Sequence, residues 1–192
     1  MLRRLYDWTM ALASGKQAPW ALGGVSFAES SVFPIPPDIL LIPMVLAERR
    51  KAVQFAALCT ITSVLGGIFG YIIGAFLYEQ VAAPILGFYG YQDKFADFAD
   101  WFAEWGPWIV FTAGITPFPY KVITIASGAV GLAMPVFILA SVLSRGIRFF
   151  AVAGLLYVFG PPIKDFIEKR LGLVFTIFVI CLVGGFLAIK LL

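Results

Sequence analysis

Residues Ala52 to Tyr78 run for 27 positions without a charge. A spanning helix needs roughly 20 consecutive apolar residues, so this stretch is long enough to cross a bilayer. Leu171 to Ile189 is a second uncharged run, of 19 residues. Strands of a membrane barrel alternate apolar and polar over about ten residues, and these continuous runs do not. The composition points the same way. Apolar side chains make up 61% of the chain and charged ones 13%, where a soluble domain carries about 25% charged residues. A soluble globular domain and a disordered chain are both excluded. The net charge of +3 with no basic block argues against a nucleic-acid partner. The expected class is an all-α integral membrane protein with a single membrane domain.

Two apolar segments are broken by proline. Between Glu29 and Asp38 lies Phe33-Pro34-Ile35-Pro36-Pro37. Each proline lacks an N–H and clashes with the preceding turn, and the residue before it leaves the α region. Residues 18–30 and 37–47 are therefore two half-helices, each about 15–20 Å long and too short to cross alone. The pattern returns at Thr116-Pro117-Phe118-Pro119-Tyr120-Lys121. Pro34-x-Pro36-x-Asp38 aligns with Pro117-x-Pro119-x-Lys121. Each break leads to a half-helix, a connector and a long helix, at 52–78 and 135–160. This is an internal repeat of architecture.

Charge sets the topology. Lys and Arg gather on the cytoplasmic side, and the clusters are Arg3, Arg4 and Lys16, then Arg49, Arg50 and Lys51, then Lys164, Lys169 and Arg170. Loop 79–105 is acidic by contrast. All three clusters share a side if 18–47 re-enters and returns, and the hairpin 107–132 then enters from the opposite face. That makes an inverted repeat, a plan common among secondary transporters. A rival topology runs 122–144 as a plain span, at the expense of 149–163 and of the breakers Gly131 and Pro135. Residues 85–105 place Phe88, Tyr91, Phe95, Phe98, Phe102 and Trp105 at helical spacing between charges, the pattern of an interfacial amphipathic helix. A last span is expected at 171–190. The N-terminus is expected in the cytoplasm of a bacterial inner membrane. The first residues have a positive end but no apolar core before a small-residue site, so no cleavable signal peptide is expected.

Five charges fall inside apolar segments: Glu29, Asp38, Lys121, Arg145 and Arg148. Each costs about 2.5–3.5 kcal/mol at a helix centre if unpaired. Pairing four of them leaves one spare positive charge, counted on Arg148, for which an anionic ligand would be the partner. Lys121 falls in the first turn of a half-helix begun by Pro119. A cation there opposes the helix dipole, and a bound anion would relieve the clash; snorkelling to the surface is the plainer alternative. Arg145 and Arg148 share a helix face and are expected to point toward the carboxylates of the first hairpin, as structural bonds, ligand contacts or both. Gly66, Gly70 and Gly74 allow a close helix approach. Cys59 and Cys181 lie in apolar runs and suggest neither a disulfide framework nor a metal site. No metal and no cofactor is expected. The chain has no His, and no nucleophile stands beside a base, so an enzyme is not expected.

Glu29-Ser-Ser-Val-Phe-Pro34-Ile-Pro36-Pro-Asp38 resembles the E-x-x-x-x-P-x-P-x-[ED] signature of DedA-family membrane proteins, the group that also contains the eukaryotic VTT-domain lipid scramblases. Pro117-x-Pro119-Tyr-Lys121 with Ala126-Ser127-Gly128 resembles the second hairpin. Ser144-Arg145-Gly-Ile-Arg148-Phe149 is similar to the YqaA-like branch. The resemblance covers residues 18–160. It implies paired re-entrant hairpins meeting at mid-membrane, and transport or scrambling of phospholipids or of undecaprenyl phosphate. It maps an acidic pair onto Glu29 and Asp38. Many members have Arg three residues before and three after the hairpin proline, where this chain has Gly114 and Tyr120, with Lys121 one place on.

Two functions follow. One is a transporter, flippase or scramblase for an anionic lipid phosphate. Glu29, Asp38, Lys121, Arg145 and Arg148 would serve binding and coupling, and Pro34, Pro36, Pro117 and Pro119 would form the breaks. The other is a proton- or cation-coupled antiporter for small molecules, with the two carboxylates as relay. Membrane lipids are the expected partners, with protons a possible coupling ion and an oligomer compatible with the sequence.

Overall fold

The structure, a computed structural model, describes residues 17–33, 36–116 and 119–169. Pro34, Pro117, the N-terminal basic cluster and the span expected at 171–190 lie outside the described residues. The described residues are helical, with no strand among them. Helices α1 (Ala18–Ser31) and α2 (Asp38–Ala47) flank the first proline break. Helix α3 (Ala52–Leu77) follows a single 3-10 turn at Arg49–Lys51. Helix α4 (Ala83–Tyr89) continues from α3 through one π-helical turn, and α5 (Gln92–Ile115) follows it. Helices α6 (Tyr120–Ala129) and α7 (Met134–Lys169) complete the order. Arg49–Tyr89 and Met134–Gly160 are both long and apolar enough to cross a membrane.

The order of helix, proline break, ten-residue helix, turn and long helix occurs twice. Each hairpin has its own apolar core. Leu22, Leu41, Val45, Phe55 and Phe149 fill the first, and Phe102, Val110, Tyr120 and Phe137 the second. Helix α3 is the central post. It packs against α1, α6 and α7, while α7 also meets α2 and α5. The glycine stripe of α3 makes this possible. A Cβ on Gly66 would collide with the Phe27 carbonyl of α1, one on Gly70 with the Thr124 hydroxyl, and one on Gly74 with the Ile125 carbonyl of α6. A single row of glycines thus seats both hairpins.

One boundary differs from the sequence reading. A separate interfacial helix is expected over 85–105, but the chain turns at Gly90, whose φ of 68° suits glycine, and α5 then runs unbroken to Ile115. Pro107 does not end it. That proline frees only the carbonyl of Ala103, an exposed position. The amphipathic segment and the first arm of the second hairpin are therefore one helix. Residues 122–144, the plain span of the rival topology, are not a continuous helix. Helix α6 ends at Ala129, and Gly131 turns the chain with a φ of 69° before α7 begins.

Candidate functional site

Helix α7 places Arg145 and Arg148 one turn apart on the face that meets the hairpins. The Arg145 side chain is 1% exposed and pairs with the Glu29 carboxylate of α1. Its Nε donates to the Ser63 hydroxyl of α3 at 2.6 Å, and Nη2 also reaches the Ser30 hydroxyl at 3.2 Å. The two serine oxygens are themselves 2.6 Å apart. The guanidinium lies against the rings of Tyr120 and Phe149, at 4.7 and 4.9 Å from their centroids. A planar cation between aromatic faces is favourably placed once water is excluded. Its Nη1 is buried and has no partner among the described residues.

Arg148 is placed differently. Its Nη2 donates to Asp38 Oδ2 at 2.6 Å, and its Nη1 donates to the Thr116 carbonyl at 3.2 Å. Asp38 is the first residue of α2, just past the first break, and Thr116 caps the end of α5, just before the second. One guanidinium thus holds the two breaks together. This pair is more open than the other, with both side chains 20% exposed. The Asp38 Oδ1 atom is buried without a partner among the described residues.

The arrangement keeps one spare cation but moves it to another residue. The spare cation is not Arg148, which pairs with Asp38; among the described residues it is Lys121, whose Nζ reaches the Val32 carbonyl at 3.5 Å. Pro119 caps α6 and Tyr120 begins it, so Lys121 does lie in the first turn. Val32 caps the other end of a helix, α1. The negative end of one helix dipole therefore offsets the positive end of the other at this lysine. Thr124 adds a second tie between the hairpins by donating to the Ser30 carbonyl at 3.2 Å.

The two positions at which the family resemblance expects arginine both lie beside Arg145. Tyr120 stacks on it. Gly114 lies where a Cβ would meet the Ser144 hydroxyl and come 3.7 Å from Arg145 Cδ. At these two positions the neighbouring cation is Arg145 of α7. Ser30, Ser63 and Phe149 were not given a role from sequence, and Tyr120 was named there only as a departure from the family pattern. The signal for Ser30 is its place next to Glu29 in an apolar helix, and for Ser63 its place one turn before Gly66 on the small-residue face of α3.

The VTT domain model matches residues 35–158. An uncharacterized protein of Haemophilus influenzae is 42% identical over 151 residues, covering 79% of this chain and 78% of the relative. An uncharacterized protein of Histophilus somni is 37% identical over the same length, with the same coverage. No solved structure matches the chain. The matched region holds Asp38, Lys121, Arg145 and Arg148, both ten-residue half-helices and most of both long helices, and on this footing the chain belongs to the VTT-domain family, that of the DedA membrane proteins.

Proposed function

We propose that this chain carries anionic lipids across the membrane as a transporter, flippase or scramblase, acting on phospholipid or undecaprenyl phosphate in support of envelope lipid homeostasis. In this reading the hairpins re-enter the bilayer from opposite faces of a bacterial inner membrane, and the N-terminus is cytoplasmic. The observation that carries the proposal is Arg148, bonded at once to Asp38 and to the Thr116 carbonyl. A lipid phosphate arriving sideways between the breaks offers the same chemistry as the Asp38 carboxylate and competes for the same guanidinium. Exchange of one anion for another keeps the arginine paired, so binding and release need only a small change in energy. The N-termini of α2 and α6 face the breaks with no side-chain cap on either, and the positive ends of their helix dipoles favour an anion there. Lys121 contributes a further positive charge.

Reconstitution into liposomes with labelled anionic and zwitterionic lipids tests this, with wild type beside Arg148→Ala and Asp38→Asn. Transport of anionic lipid by wild type and its loss in both variants is the expected result. If wild type moves neither lipid class but exchanges protons for small cations, the chain is an antiporter.

A further inference from the structure

Helix α7 departs from helical geometry at Phe159, with φ −108° and ψ 16°. Pro161 and Pro162 follow. Neither has an N–H, so the carbonyls four residues back, on Tyr157 and Val158, lose their helical donors. Arg49 supplies them from outside the helix. Its Nη2 donates to the Tyr157 carbonyl and, at 3.3 Å, to that of Val158. Gly160 leaves room for the guanidinium, since a Cβ there would lie 2.9 Å from Arg49 Nε. That Nε is buried and without a partner among the described residues.

A groove of about 240 Å³ opens beside it, between the start of α3 and the end of α7. Arg49 and Arg50 form its cationic end, and Val53, Phe150, Gly154 and Tyr157 line its apolar length. Val53 and Tyr157 are more than half exposed, and a Cβ on Gly154 would meet nothing within 4 Å. A small soluble anion would use the arginines and leave the apolar length bare. A phosphate joined to an acyl chain matches both ends. Basic residues at the edge of a membrane helix also meet anionic headgroups there.

We propose that this groove binds an anionic phospholipid, with its phosphate on Arg49 and Arg50 and its acyl chain along Val53, Phe150 and Gly154. The groove shares no residue with the Arg148 centre. Its lipid is a resident that braces the broken end of α7, not cargo.

The test uses the purified full-length chain in detergent, with thermal unfolding and native mass spectrometry in the presence of phosphatidylglycerol, phosphatidylcholine or inorganic phosphate. Phosphatidylglycerol should remain bound and raise the melting temperature, and the other two should not. Gly154→Leu fills the groove without touching either arginine and should abolish the shift. Arg50→Gln should weaken binding about fivefold, the contribution of one cation near an anionic surface. Arg148→Gln should keep the shift. Equal shifts from phosphatidylcholine or inorganic phosphate would overturn the proposal, as would an unchanged shift in Gly154→Leu. A shift lost in Arg148→Gln but kept in Gly154→Leu would move the lipid to the hairpin breaks and overturn it too.

Discussion

Two arginines on one helix face have different environments, and the difference separates structure from exchange. Arg145 is sealed, with its charge met by Glu29, two serines and two rings. Removing one partner of a buried ion pair strands the other and costs about 3–5 kcal/mol, while replacing both by neutral groups is often close to neutral. Arg145→Met should therefore lower the melting temperature in detergent sharply, and adding Glu29→Gln should restore most of the loss. Ser30 and Ser63 keep each other as partners in the double variant. A double variant as unstable as the single one would show that the ion pair is not the source of the loss. Arg148 and Asp38 are partly open and can change partners without unfolding the site. Asp38→Asn should melt near wild type. The amide oxygen still accepts from Arg148 but no longer competes as an anion, so lipid transport in liposomes should fall about tenfold, the factor that about 1.4 kcal/mol carries.

Glycine sets the spacing between elements. A methyl on Gly66 or Gly74 would drive α3 into a backbone carbonyl of α1 or α6, atoms that no rotamer change can move aside. Overpacking of this kind costs about 1–3 kcal/mol. Gly24, on the outer side of α1, meets nothing within 4 Å, and alanine there should instead gain about 0.5–1 kcal/mol from helix propensity. Thermal unfolding of Gly66→Ala, Gly74→Ala and Gly24→Ala should split in those directions, and a uniform effect would dismiss the packing argument. The breaks and the glycine stripe were legible in the sequence because proline and glycine act through the backbone of their own neighbourhood. The continuity of α5 was not. Whether Pro107 ends a helix depends on what becomes of the Ala103 carbonyl, and only the fold decides that. The same limit explains why the spare charge was assigned to the wrong residue. Sequence arithmetic shows that two acids cannot satisfy three cations, but not that the carbonyl of Val32 stands beside Lys121. Tyr120 and Phe149 were hidden for a related reason, since an aromatic in an apolar run carries no mark of the cation it will stack upon.

At the scale of the molecule, the two hairpins rest on a post formed by α3 and α7 and are tied to each other through few polar contacts at the breaks. Among the described residues those ties are Arg148 to Asp38 and Thr116, Lys121 to Val32, and Thr124 to Ser30. The glycine contacts along α3 are close and leave the hairpin arms little room to slide. The prolines at the breaks have no N–H with which to continue a helix. If lipid passes between the hairpins, the breaks must part while the post stays still. The contact of Lys121 with Val32 then opens in each cycle, and fixing it should stop transport. Val32→Cys combined with Lys121→Cys, in a chain whose Cys59 and Cys181 are replaced by alanine and serine, allows a short bifunctional thiol reagent to join the two breaks. The cross-linked protein should keep its melting temperature, because the joined residues are already neighbours, and should lose anionic lipid transport. Cleavage of a disulfide-containing linker should restore it. Transport that continues with the linker intact at the rate of the same variant without linker would mean that the breaks do not part, and that lipid takes a path outside the hairpins.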